Sequence, residues 1–204
     1  MKETRLSIIM EKIISSDYRT IEDLVEKSDK YSLDEIRDYL DHIIEMWREN
    51  KITLAAMNSA FKFAHMYLKR PDIRIVIKNQ TLIPICYYSS FLHLSALFFY
   101  LYLKSLSFAV KLFPLNTTDR HLREYIEKNK PTIIIFTLWQ FIDLEDLKKL
   151  IPYLHKKNLK IFIGGIPFVY NNKLKLDFPD CIFPEDIDEL ALFLNNSIKL
   201  KKDE

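Results

Sequence analysis

The sequence predicts an α/β protein: an N-terminal four-helix bundle followed by a doubly wound, flavodoxin-like unit of five parallel strands with helices on both faces. Three observations predict it. Up to Arg70 the apolar residues recur at spacings of three and four. After Pro71-Asp72 short runs rich in β-branched and aromatic residues alternate with amphipathic helical stretches. Those runs are largely continuous in apolar residues, as expected of strands covered on both faces.

The first helix carries Leu6, Ile9, Ile13 and Ile14, and the second begins at Thr20 with Ile21, Leu24 and Val25. Ser32-Leu33-Asp34-Glu35 is a capping-box pattern, in which Ser32 and Glu35 satisfy each other's orphan backbone donors. Behind it Ile36, Tyr39, Leu40, Ile43, Ile44 and Trp47 form one stripe expected to be buried. The fourth helix, TLAAMNSAFKFAHMYLK, is rich in small residues that permit close approach of a neighbour. These helices make a bundle over residues 1–70, and the α/β unit occupies 71–204.

The expected strands are IRIVI (73–77), FAVKLF (108–113), TIIIFT (132–137), KIFIG (160–164) and CIF (181–183). TDRHLREYIEKN, DLEDLKKLIPYLHKKN and EDIDELALFLNNSIK supply helices between and after them. Asn79 to Leu103 is a run of 25 residues without Asp, Glu, Lys or Arg. As a membrane span it would put the first two strands on opposite sides of a bilayer, where they could not pair. It is expected instead to hold the first crossover helix, about 89–105, apolar on every face because it is buried on every face.

Composition sets further bounds. A chain of 204 residues, 49% hydrophobic and 28% charged, suits one large or two small folded domains. A formal net charge of +2 gives no basis for expecting nucleic acid or an anionic membrane as a partner. Only the terminal KKDE stands out as a solvated charge cluster. Two distant cysteines, Cys86 and Cys181, suggest a reducing compartment, and the charged, helical first twenty residues are not a signal peptide. The expected location is the cytoplasm. No GxSxG, GxxxxGK[ST] or HExxH occurs, and Asp143, Glu145 and Asp146 sit where they complement a helix dipole. No enzyme is expected.

Average usage of roughly 7% would give such a chain about fourteen glycines. It has two, Gly164 and Gly165, adjacent and directly after the run KIFI. Either something approaches the backbone closely there or the turn needs a positive φ. Ends of parallel strands are also where such sheets bind ligands.

With bundle, α/β unit and Gly-Gly after the fourth strand, the sequence resembles the cobalamin-binding module from about residue 5 to 198. It is nearest to the form in light-responsive cobalamin-dependent repressors and related tetrapyrrole-binding sensors. GGIPFVYNNKLKLDFPDCIFPEDIDEL is similar to that family's ending, and MWRENKITLAAMN to the segment whose tryptophan caps the upper face of the corrin. Trp47 stands at the tryptophan, and Thr137 at a serine near the ligand's tail. Two features depart from the pattern. KNQTLIPICYYSSFLH lacks the Asp-x-His-x-x-Gly that supplies the lower cobalt ligand, and Met57-Asn58 replaces a Glu-His pair.

Each candidate serves two readings. Trp47 is a core residue or a ring over a flat ligand. Met57 is core filler or a soft thioether ligand to haem iron or cobalt. Asn58, and His65 seven residues on along the same face, belong to a polar network or to a ligand site. Cys86 is an inert small hydrophobe, an iron ligand or a bilin attachment point. His93 is a neutral core imidazole or an axial ligand, and Tyr87, Tyr88, Phe91, Phe98, Phe99, Tyr100 and Tyr102 line a tetrapyrrole pocket or have filled one. The resemblance thus implies a non-enzymatic sensor that holds haem, a bilin such as biliverdin, or atypically bound cobalamin between bundle and strand ends. The alternative is a ligand-free descendant acting as an antirepressor-like interaction module. No helix-turn-helix precedes the bundle, so control of transcription would run through a regulatory protein partner or homo-oligomer rather than through DNA.

Overall fold

The computed structural model describes residues 6–78, 81–88, 94–115 and 119–199. The chain divides into two compact units, Met1–Val76 with Lys104–Ser107, and Ile77–Leu103 with Phe108–Glu204.

The first unit holds α1 (Ser7–Ser15), α2 (Ile21–Glu26), α3 (Leu33–Arg48) and α4 (Leu54–Tyr67). Hydroxyl caps fix three of the starts: Thr20, Ser32 and Thr53 accept from the backbone N–H groups of Asp23, Glu35 and Ala56. The capping box at Ser32–Glu35 is complete in both directions. Ile9, Ile13, Leu24, Ile36, Leu40, Ile43, Phe61 and Phe63 fill the interior. The stripe of α3 is shorter than the periodicity implies: Ile43 is buried, Ile44 is half-buried, and Trp47 is 38% exposed. Where the chain turns from α2 to α3, Tyr67 acts as a polar staple. Its hydroxyl accepts the N–H of Tyr31 and donates to the Tyr31 carbonyl at 3.1 Å. Arg70 continues the staple, donating to the Val25 and Ser28 carbonyls while paired with Asp72 at 2.9 Å.

The second unit runs β1 (Ile83–Tyr88), α5 (Leu94–Ser105), β2 (Val110–Leu115), α6 (Arg120–Asn129), β3 (Ile133–Leu138), α7 (Asp143–Lys156), β4 (Lys160–Gly165), α8 (Ile166–Tyr170), a 3-10 turn (Asn172–Asp177) and α9 (Ile187–Lys199). All strands are parallel, in the order β2-β1-β3-β4. The doubly wound class is as expected, but two strands differ.

The first strand is 83–88, not IRIVI. β1 is central and covered on both faces, so it has to be apolar on both, and Ile83, Ile85 and Cys86 are all buried. IRIVI alternates with Arg74 and Lys78 and cannot meet that demand. Pro84 concealed the strand in the sequence, since a central strand needs its donors. The structure reconciles them. Ile83 donates to Ala109 on the β2 side at 2.8 Å, so the nitrogen of Pro84 faces the other way, and pairing with β3 begins only at Ile85.

The fifth strand shrinks to one bridge, Ile182 against Phe162. Asp180, in the left-handed region with φ 62°, and Pro184 leave only three residues between them. Among the described residues the sheet therefore has four strands. The long uncharged run is a strand, a connection outside the described residues and a helix of 12 residues, and no described helix is long and apolar enough to cross a membrane.

Register separates the two faces. Cys86, Phe136 and Ile163 share one row, and with Leu122 and Ile126 of α6 and Leu147, Leu150 and Leu154 of α7 they form one core. Ile85, Ile135 and Phe162 point to the opposite face, with Thr137 and Gly164 one row further along. That face carries α5 and α9, linked by a 2.8 Å bond from the Tyr102 hydroxyl to Asp188.

Tyr67→Phe should leave the buried N–H of Tyr31 without its acceptor and cost roughly 1–3 kcal/mol. Urea unfolding measures it, with Tyr18→Phe, whose hydroxyl makes only a long 3.3 Å contact with Ser59, as the near-neutral control.

Candidate functional site

In a sheet ordered 2-1-3-4 the chain reverses direction of winding beside β1, and ligands bind past the carboxyl ends of the strands. A cavity of about 460 Å³ lies beside β3 and β4, on the face covered by α5 and α9. Its walls are Phe99 of α5, Ile135 and Phe162 of the sheet, Phe168 of α8, Phe183, and Leu190 of α9. Lys175, Glu185 and Asp186 supply its polar groups. The size and the mainly apolar lining with few polar groups are those of a small-molecule site.

The two glycines do different work. Gly165 has φ 125°, and a Cβ there would lie 2.0 Å from the Leu138 carbonyl oxygen. It lets the ends of β3 and β4 approach and turns the chain into α8. Gly164 has nothing within 4 Å of where its Cβ would stand, so that position opens into free space at the cavity. Its register partner Thr137 is buried, with its hydroxyl 3.3 Å from that of Ser95 on α5.

Thr137, Gly164 and Gly165 are thus brought together. Cys86 is not with them: it is fully buried in the core of the opposite face, and burial drives its thiol well above the ordinary range. A thiol so placed is neither a nucleophile nor a free ligand. Trp47, Met57, Asn58 and His65 belong to the helical unit. Met57 is buried and Asn58 is exposed. His65 is half-buried, and burial, reinforced by Lys69 and Lys104, lowers its imidazole to about 4, so it is neutral at pH 7. His93 and Phe91 lie outside the described residues. Among the described residues no group of three His, Cys, Asp or Glu side chains could hold a metal ion. Asp143, the first residue of α7, accepts the Gln140 N–H at 3.3 Å, and burial raises its carboxyl.

Sequence reasoning overlooked Phe162, Phe168 and Phe183. Phe162 was accessible by parity, two residues before Gly164 and so on the same face. Phe168 and Phe183 become neighbours only through the turn after β4, their rings 5.0 Å apart.

No family model and no curated protein matches the sequence. Solved structures do match in three dimensions. A cobalamin-binding protein from Desulfitobacterium hafniense superposes with a TM-score of 0.54 at 10% identity, covering 94% of this chain and 90% of its own. The methanol:cobalamin methyltransferase complex MtaBC from Methanosarcina barkeri gives 0.55 at 12%, covering 98% and 81%. The monomethylamine corrinoid protein of the same organism gives 0.54 at 13%, covering 94% and 88%. The fold is that of these cobalamin-binding proteins.

Gly165→Ala should destabilise the protein by about 2–4 kcal/mol, from backbone strain plus collision with Leu138. Gly164→Ala should cost under ~1 kcal/mol. Thermal unfolding of the two variants side by side measures the contrast.

Proposed function

We propose that the protein is a non-enzymatic sensor or regulatory module that binds a cobalamin-type corrinoid, with the cavity beside β4 taking a flat apolar part of the cofactor. The observation that carries this is the open position at Gly164. A chain that avoids glycine elsewhere keeps one where a side chain would meet no neighbour and would project into an aromatic cavity. The fold shared with cobalamin-binding proteins supports the same reading.

The residues fit the group. A corrinoid brings its own cobalt, so a protein side chain would be needed at most to hold that cobalt. His93 is the candidate, being the last residue before α5 in the connection from the central strand. Phe162, Phe168 and Phe183 offer flat surfaces for stacking, and Lys175 and Glu185 offer charges for polar substituents. Bound there, the cofactor would supply a cobalt able to exchange ligands, which suits a sensor as well as a carrier.

A second reading, the ligand-free interaction module, draws on Phe141 and Ile142 after β3 and on Val169, Tyr170 and Leu176 after β4, all exposed apolar side chains. Such side chains suit a regulatory protein partner.

The test is titration of the purified protein with hydroxocobalamin, methylcobalamin, adenosylcobalamin, haemin and biliverdin, followed by absorbance and co-elution. A cobalamin should co-elute, Gly164→Phe should weaken it about tenfold or more at unchanged thermal stability, and His93→Ala should shift the bound spectrum. Co-elution of no cobalamin, capture of haemin or biliverdin alone, or indifference to Gly164→Phe would overturn the reading.

A further inference from the structure

IRIVI, the most strand-like stretch that the sheet does not use, remains unexplained by ligand binding. Residues 73–78 carry no helix or strand, and the only backbone bond among the described residues is Ile73 N–H to the Arg70 carbonyl at 3.1 Å. Even so, side chains alternate over the first four residues: Ile73 and Ile75 are half-buried while Arg74 and Val76 are exposed, Val76 to 84%, and Ile77 then stays 49% exposed, an apolar side chain left without cover. Apart from the Ile73 N–H, residues 73–78 make no backbone bond among the described residues, and with four β-branched side chains and no proline or glycine they form a template for pairing with another strand.

We propose that Asp72–Lys78 pairs antiparallel with the same segment of a second copy of this chain, about a twofold axis through Ile75. The sequence is complementary to itself in that register alone. Ile73 falls opposite Ile77 and Ile75 opposite its mate, so one face of the ribbon is isoleucine throughout. On the other face Arg74 falls opposite Val76, and Asp72 opposite Lys78, at both ends. Opposite charges directly across an antiparallel pair stabilise it, and a one-residue slip would destroy both matches. Asp72 has capacity for the added cation: it already accepts from Arg70 and lies 3.6 Å from Lys30, and its side chain keeps 31% exposure. Lys78 is exposed, and its ammonium, which lies over the Phe108 ring at 5.5 Å, would exchange that ring for the Asp72 carboxylate of the second copy.

The sheet's own edges are poorer partners. β2 is an edge strand guarded by exposed Lys111 and by Pro114, which has no N–H to give. The outer side of β4 already carries the bridge to Ile182. A ribbon this short makes a small interface, so the dimer belongs to the weak, concentration-dependent class.

Sedimentation velocity of the full chain over a concentration series tests this, independently of any ligand. The wild type should show a reversible monomer–dimer equilibrium. Val76→Lys places the introduced lysine opposite Arg74 twice and should weaken the dimer about tenfold. Arg74→Glu combined with Val76→Lys turns both contacts into ion pairs and should restore it. Circular dichroism confirms folding of each variant. A wild type that stays monomeric throughout, a Val76→Lys dimer as strong as wild type, or no rescue in the double variant would overturn the proposal.

Discussion

A central strand in a sheet covered on both faces has to show apolar side chains to both, and Ile83–Tyr88 is where this chain meets that demand. Its placement decides the rest. With β1 there, Cys86 turns into the α6–α7 core and Ile85 toward α5 and α9. The connection from β1 to α5 then runs through residues 89–93. A strand at 73–77 would have moved every one of these assignments and buried Arg74. Pro84 fits only because its missing donor faces the stretch where β3 has not yet joined.

From that frame the glycine pair gains its meaning. One glycine permits a close approach that no side chain tolerates, and the other leaves room where a side chain would be tolerated. The first is structural and the second bears on ligand binding. What the site offers is shape and aromatic surface rather than shifted acids and bases. Its described thiol candidate is sealed on the far face, and the described imidazole candidate is held neutral in the other unit. Such a site suits a ligand that brings its own chemistry.

Much of the fold was legible in local pattern. Hydroxyl caps and apolar spacing mark the helices of the first unit, and β2, β3 and β4 begin within two residues of their apolar runs. What escaped has physical causes. Isoleucine content favoured IRIVI, although its alternating cations argued for a half-exposed strand. The run around Pro84 was expected to hold the crossover helix, and a proline weighs against a central strand, although it is harmless where one neighbour is missing. The periodicity of α3 continued to Trp47 while burial stopped at Ile43, since periodicity says which side faces inward and not how far the cover extends. At the site, Gly164-Gly165 and Thr137 were visible from composition and strand position. The aromatic walls were only half visible, because Phe168 and Phe183 meet through a turn that no spacing encodes.

Native-state hydrogen exchange, resolved by residue, tests the placement of the central strand most directly. Amides of Ile83, Ile85 and Cys86 should exchange only through global unfolding, while those of Arg74, Ile75 and Val76 in the monomer at low concentration should exchange by local opening, many orders of magnitude faster. Protection at 74–76 with fast exchange at 83–86 would contradict the account.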